Sequence, residues 1–124
     1  VQPTGAYLWL DQEAQLDAVT ALSGSGPAYV FYFIEAMIQA GTDMGLSREQ
    51  AHQLAVGTFV GASALAKEAT EPPEVLRARV TSKGGTTYAA LSAMEQGGIK
   101  EKFMQAMQAA RLRAIEMGDE FGTA

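Results

Sequence analysis

The sequence predicts an all-α domain of five or six helices. Apolar residues recur at helical spacing along most of the chain, helix start and stop signals separate the periodic stretches, and nothing after Leu10 alternates as a strand would. The 124 residues suit one ordinary domain, residues 1–124, and 48% hydrophobic content is enough for a packed core.

Residues 1–10 lack a helical period, and Tyr7-Leu8-Trp9-Leu10 reads as a short N-terminal edge strand or the tail of a linker. Asp11 can cap a first helix that Leu16, Val19, Ala21 and Leu22 carry to about Leu22. Ser23-Gly24-Ser25-Gly26 interrupts it. Pro27 suits the first turn of a second helix, where a missing N–H costs nothing, with Ser25 or Gly26 as cap. That helix runs to about Met44, and Gly45 is a natural residue just past its end. Ser47 and Gln50 have the spacing of a capping box for a third helix reaching about Thr70. Within it Gly57 and Gly61 lie on one face; each costs about 1 kcal/mol relative to alanine, so another backbone is expected to pack close there. Glu71-Pro72-Pro73 ends that helix and starts a short one over residues 74–80. Thr86 or Thr87 opens the next, to about Glu95; Gly97-Gly98 stops it, and the last runs from Ile99 to about Gly118.

Charge and composition remove several function classes. The net charge is −5, and nine scattered Lys and Arg make no basic patch, so nucleic acid is not an expected partner. The chain has no cysteine, hence no disulfide, thiol nucleophile or thiolate metal site. That composition fits a reducing compartment. With no N-terminal basic-then-apolar segment, a cytoplasmic location is expected. The uncharged stretches 18–34 and 50–66 are broken by Gly24–Pro27 or carry His52, Gln53, Thr58 and Ser63, so no membrane span is expected. His52 has no second ligand nearby, no metal spacing occurs, and Glu68, Glu71 and Glu74 read as solvated. The six methionines read as core filler.

The helices 27–44 and 50–70 look apolar on most of their circumference. Such helices must be covered all round, and a small domain has limited means to do so. The simpler inference is a large homodimer interface, interleaved with a second copy; the alternative is one core in which these helices are central.

Two segments could carry chemistry. In Ser82-Lys83-Gly84-Gly85-Thr86-Thr87, successive glycines allow close approach, and the following helix directs free N–H groups and its positive dipole end to the same point. That combination receives a carboxylate or phosphate. Taken alone, however, the loop reads first as a helix–helix turn with hydroxyl caps. The second segment, Leu22-Ser23-Gly24-Ser25-Gly26-Pro27-Ala28-Tyr29, lacks the strand and the third glycine of a dinucleotide loop. It is plausible instead as a break where a cofactor or partner approaches backbone.

Residues Pro73, Leu76, Val80, Thr81, Ser82, Gly84, Gly85, Thr87, Ala90, Leu91, Met94 and Glu95 together resemble the signature of the pyrroline-5-carboxylate reductases. Asp17 to Tyr29 resembles that family's other helical motif, in the same order and spacing. The likeness covers about Gly5 to Gly118. It implies the C-terminal dimerisation and substrate domain of an enzyme whose N-terminal Rossmann domain, absent from this chain, binds NADPH or NADH. The implied reaction reduces the C=N bond of 1-pyrroline-5-carboxylate to L-proline, the last step of proline biosynthesis. By the same resemblance, backbone around Ser82, Gly84, Gly85 and Thr86 would hold the substrate carboxylate. The Thr87 hydroxyl would bond the ring nitrogen and relay a proton. Pro27 with Gly26 would face the nicotinamide, with Val80 and Thr81 nearby. Many members have proline where this chain has Lys83. The isolated chain is expected to be inactive, and its partners to be the substrate and a second copy, with further assembly of such dimers as an option.

Two other readings compete. One is a non-enzymatic helical homodimerisation module. The other is the helical domain of a different Rossmann-linked dehydrogenase, for which Lys83 would be the nearby acid–base candidate; the spaced motif argues against it.

Overall fold

The computed structural model describes residues 14–122, and among them the expectation of an all-α fold holds. Six α-helices are present: α1 (Ala14–Val19), α2 (Gly26–Asp43), α3 (Arg48–Glu68), α4 (Pro73–Arg79), α5 (Thr86–Gln96) and α6 (Ile99–Gly122). The expected N-terminal strand and the Asp11 cap lie outside the described residues.

One element was not foreseen. The first helix does not continue as α-helix to Leu22; from Thr20 to Gly24 it widens into a π turn. The Ser25 N–H donates to the Thr20 carbonyl at 2.8 Å, five residues back. The sequence favours this, because Pro27 has no N–H with which to continue a regular ladder, and Gly24 and Gly26 loosen the backbone.

By internal contact the chain forms two compact units. One holds the described residues up to Val30 and those from Gly98 onward; the other is Phe31–Gly97. In the first, α6 packs on α1 and on the π turn, where Ala21 is buried. Tyr29 and Phe103 meet edge to face with ring centroids 5.5 Å apart.

In the second unit, Ile38 of α2 packs with Ala51 and Ala55 of α3, and Ile34 flanks them. Small residues let the two helices approach: a Cβ placed on Gly41 would lie 3.1 Å from the Ala51 Cβ. The connection is tightly specified. Leu46 N–H donates to Gly41 O (3.1 Å) and Gly45 N–H to Thr42 O (3.0 Å), a Schellman end that requires the left-handed Gly45, φ +107°. Ser47 then forms the predicted box: its Oγ accepts from Gln50 N–H (3.0 Å), and Gln50 Oε1 accepts from Ser47 N–H (2.9 Å).

Pro72 caps α4 and Pro73 opens it. Glu71 is not simply solvated. Its carboxylate accepts from Arg79 at 2.8 Å, bridging the two ends of α4.

Large apolar side chains lie open within this chain. Phe31 and Tyr32 of α2 are 65% and 68% exposed, and Leu54, Val60 and Leu65 of α3 are comparable. Five methionines, Met37, Met44, Met94, Met104 and Met117, are exposed rather than core filler. The close packing expected at Gly57 and Gly61 is not made by the chain itself, since a Cβ at either would meet nothing within 4 Å. No helix among the described residues is long and apolar enough to cross a membrane.

Candidate functional site

The segment from Val80 to Thr87 joins α4 to α5 and lies wholly within the second unit. Its start is anchored: the Thr81 hydroxyl donates to Arg77 O at 2.6 Å, and Thr81 N–H to Ala78 O at 3.1 Å. Thr81 therefore closes the end of α4. Val80 is 68% exposed and stands at the edge of an apolar cleft of about 600 Å³ that Leu65, Ala69 and Leu76 also line.

The next four residues make a tight turn, with Gly85 N–H donating to Ser82 O at 2.9 Å. The two glycines are needed for different reasons. Gly84 is left-handed, φ +81°, with open space where a Cβ would stand. Gly85 has an ordinary φ of −91°, but a Cβ on it would come within 3.2 Å of Ser82 O.

Gly85 is also the N-cap of α5, and without a side chain it caps nothing. The first-turn N–H groups of an α-helix have no acceptor within the helix. Because Gly85 N–H is engaged in the turn, the outward-directed donors begin at Thr86 and continue with Thr87 and Tyr88. Ser82, Lys83, Gly84, Thr86 and Thr87 are exposed, and the Thr87 hydroxyl has no partner among the described residues. Residues 80–91 contain no acidic side chain, and Lys83 is cationic. Dipole, uncapped donors and charge thus make this helix start favourable to an anion.

Gly26 and Pro27 belong to the first unit. They are the first two residues of α2, one residue beyond the π turn, and Pro27 is exposed. The Ser25 carbonyl accepts from Ala28 N–H at 3.1 Å, tightening this start. Ala21 O is not used by Ser25 N–H; it accepts instead from the Tyr29 hydroxyl at 2.6 Å. The sequence had suggested a break here but not its form. Pro27 and the hydroxyl-rich run before it signal the break but not its π form.

His52 is exposed, and among the described residues no three His, Asp or Glu side chains could share a metal ion. Among the described residues Glu71 is the only carboxylate held clearly below its ordinary range; the Arg79 guanidinium is the main cause, followed by its own backbone N–H. It lies before α4, outside the turn at Ser82–Thr87.

The chain matches the family model for pyrroline-5-carboxylate reductase dimerisation over residues 13–117. It is 48% identical over 118 residues to a pyrroline-5-carboxylate reductase of Pseudomonas aeruginosa, covering 95% of this chain and 43% of that protein. Among solved structures, a pyrroline-5-carboxylate reductase from Coxiella burnetii superposes with a TM-score of 0.84 at 42% identity, covering 88% of this chain and 40% of the other. The Plasmodium falciparum pyrroline carboxylate reductase, solved with NADP bound, gives 0.83 at 38% identity, covering 86% and 41%. The chain thus spans about two-fifths of the length of these relatives. The match runs across both motifs and nearly every described helix, and the chain belongs to the pyrroline-5-carboxylate reductase dimerisation family.

Proposed function

We propose that residues 1–124 act as one helical substrate-binding and dimer-forming domain of a cytoplasmic reductase that converts 1-pyrroline-5-carboxylate to L-proline. The observation that carries this is the uncapped, anion-receptive start of α5, with two adjacent hydroxyls and no competing carboxylate. The substrate carboxylate sits against the N–H groups of Thr86 and Thr87. Ser82, Gly84 and Gly85 shape the turn that leaves room for it. The Thr87 hydroxyl then reaches the ring nitrogen.

A nicotinamide cofactor, NADPH or NADH, supplies the hydride when bound. The chain's own residues fit the flat ring alone. In one unit Pro27, which presents no N–H, follows the small Gly26; in the other Val80, an exposed apolar side chain, precedes Thr81, and each pair by itself offers the ring a small or apolar face. A strand–glycine-loop–helix unit for the phosphates and ribose is not among the described residues. As the ring carbon receives hydride, the C=N π pair moves to nitrogen, which ends protonated. Thr87 orients that nitrogen and relays the proton, while the α5 dipole holds the carboxylate in place.

The partner is a second copy. Phe31, Tyr32, Leu54, Val60 and Leu65 are exposed on α2 and α3. Burying each contributes about 1.5–3 kcal/mol, so five offer on the order of 10 kcal/mol before ordering costs. Gly57 and Gly61 leave open backbone where a partner helix can come close.

The test uses the chain joined to its dinucleotide-binding half, following oxidation of reduced nicotinamide with pyrroline-5-carboxylate. Thr87→Ala should lower kcat roughly 10²-fold, and Thr87→Ser should restore most of it. Full activity in Thr87→Ala would refute the assignment, as would robust turnover by these 124 residues alone.

A further inference from the structure

We propose that Tyr29 is a positioning residue for hydride transfer: its hydroxyl locks the π turn and so fixes the backbone that presents Gly26 and Pro27. The proposal rests on the reductase reading above and adds a residue to it.

The geometry is local to one unit. A π turn leaves backbone carbonyls out of register with the regular ladder. Here Ser25 N–H bonds Thr20 O, so Ala21 O loses the donor that a continuous α-helix would give it. Ala21 is 3% exposed, and a buried carbonyl without a partner is costly. Tyr29, eight residues on, supplies the donor at 2.6 Å. Its ring is itself held edge to face by Phe103 of α6. The bond spans the break: its acceptor precedes Gly24 and its donor follows Pro27. Between those fixed points Pro27 can donate no hydrogen bond of its own, and Gly24 and Gly26 provide little rigidity. The Tyr29 hydroxyl is therefore the side-chain tie that sets how Gly26 and Pro27 stand. A surface that faces a hydride donor must be placed to a fraction of an ångström, because a displacement of about 1 Å can cost 10²-fold in rate.

The experiment compares wild type with Tyr29→Phe in the full-length reductase, with dimer mass and folded fraction checked for each. Tyr29→Phe keeps the ring and its contact with Phe103 and removes only the donor. The expected result is a roughly tenfold lower kcat, KM for pyrroline-5-carboxylate within about twofold because the α5 site is untouched, and a larger kinetic isotope effect with deuterated nicotinamide as hydride transfer becomes slower. Phe103→Leu, which keeps the hydroxyl and loosens the ring, should show the same pattern at about two- to threefold. It carries the test alone if Tyr29→Phe does not fold. Active wild type with unchanged kcat and isotope effect in the folded variants overturns the role of Tyr29 and leaves the reductase reading intact. Inactive wild type overturns the reductase reading and this role with it.

Discussion

Replacing Gly84 by alanine tests the candidate carboxylate site through backbone energy alone. At φ +81° an L-residue carries a penalty of roughly 1–2 kcal/mol, and open space around the new Cβ means no steric cost is added. The turn must hold this conformation for the Thr86 and Thr87 N–H groups to point outward together. The penalty therefore comes off binding, because only the fraction of molecules with the competent turn accepts ligand. L-Proline titrated calorimetrically into the full-length dimer should bind roughly 5- to 30-fold more weakly to Gly84→Ala. Gly84→Asn should recover much of the loss, since asparagine tolerates the left-handed region. Alanine binding as tightly as glycine, or asparagine as weakly as alanine, would refute the reasoning.

Ser47→Ala removes the acceptor of the capping box, and chemical denaturation should register a loss of about 1 kcal/mol. Ala51→Leu places a larger side chain at a 3% exposed position facing Gly41, and overpacking there should cost about 1–3 kcal/mol, read from thermal melts at fixed protein concentration. The Glu71–Arg79 pair gives a pH signature. The folded carboxyl titrates below its ordinary value, so its contribution is present above about pH 4.3 and is lost as pH falls through the folded value. Urea midpoints of wild type and Glu71→Gln should therefore differ at neutral pH and converge on acidification. A constant gap would contradict the pairing.

Most of the helical layout was legible because its punctuation is local. Ser47 with Gln50, Gly45 after α2 and Pro72-Pro73 at the start of α4 each punctuate a helix end within a few residues, and each works as its type and spacing suggest. The π turn was not legible. A window tuned to a 3.6-residue period cannot register one inserted residue, and the Tyr29–Ala21 bond links positions whose approach depends on that insertion. Gly57, Gly61 and the exposed methionines were legible only in part. Their pattern implies contact without saying with which molecule, and the chain's own helices do not provide it. At the loop, the donors and hydroxyls were legible from residue type, whereas the engagement of Gly85 N–H with Ser82 O depends on how the turn folds.

The α2–α3 connection has a consequence for the order in which the molecule assembles. Gly45, Leu46 and Ser47 are all committed, two to finishing one helix and one to starting the next. The small cluster of Ile38, Ala51 and Ala55 closes across only a short stretch of chain. Contacts between near neighbours in sequence need little loop-closure entropy and form on the fastest folding timescales. This hairpin can therefore take shape on a nascent monomer while its outer faces still await cover. Encounter between copies then joins preformed hairpins rather than disordered chains, and the rate of assembly should scale with protein concentration rather than with helix formation.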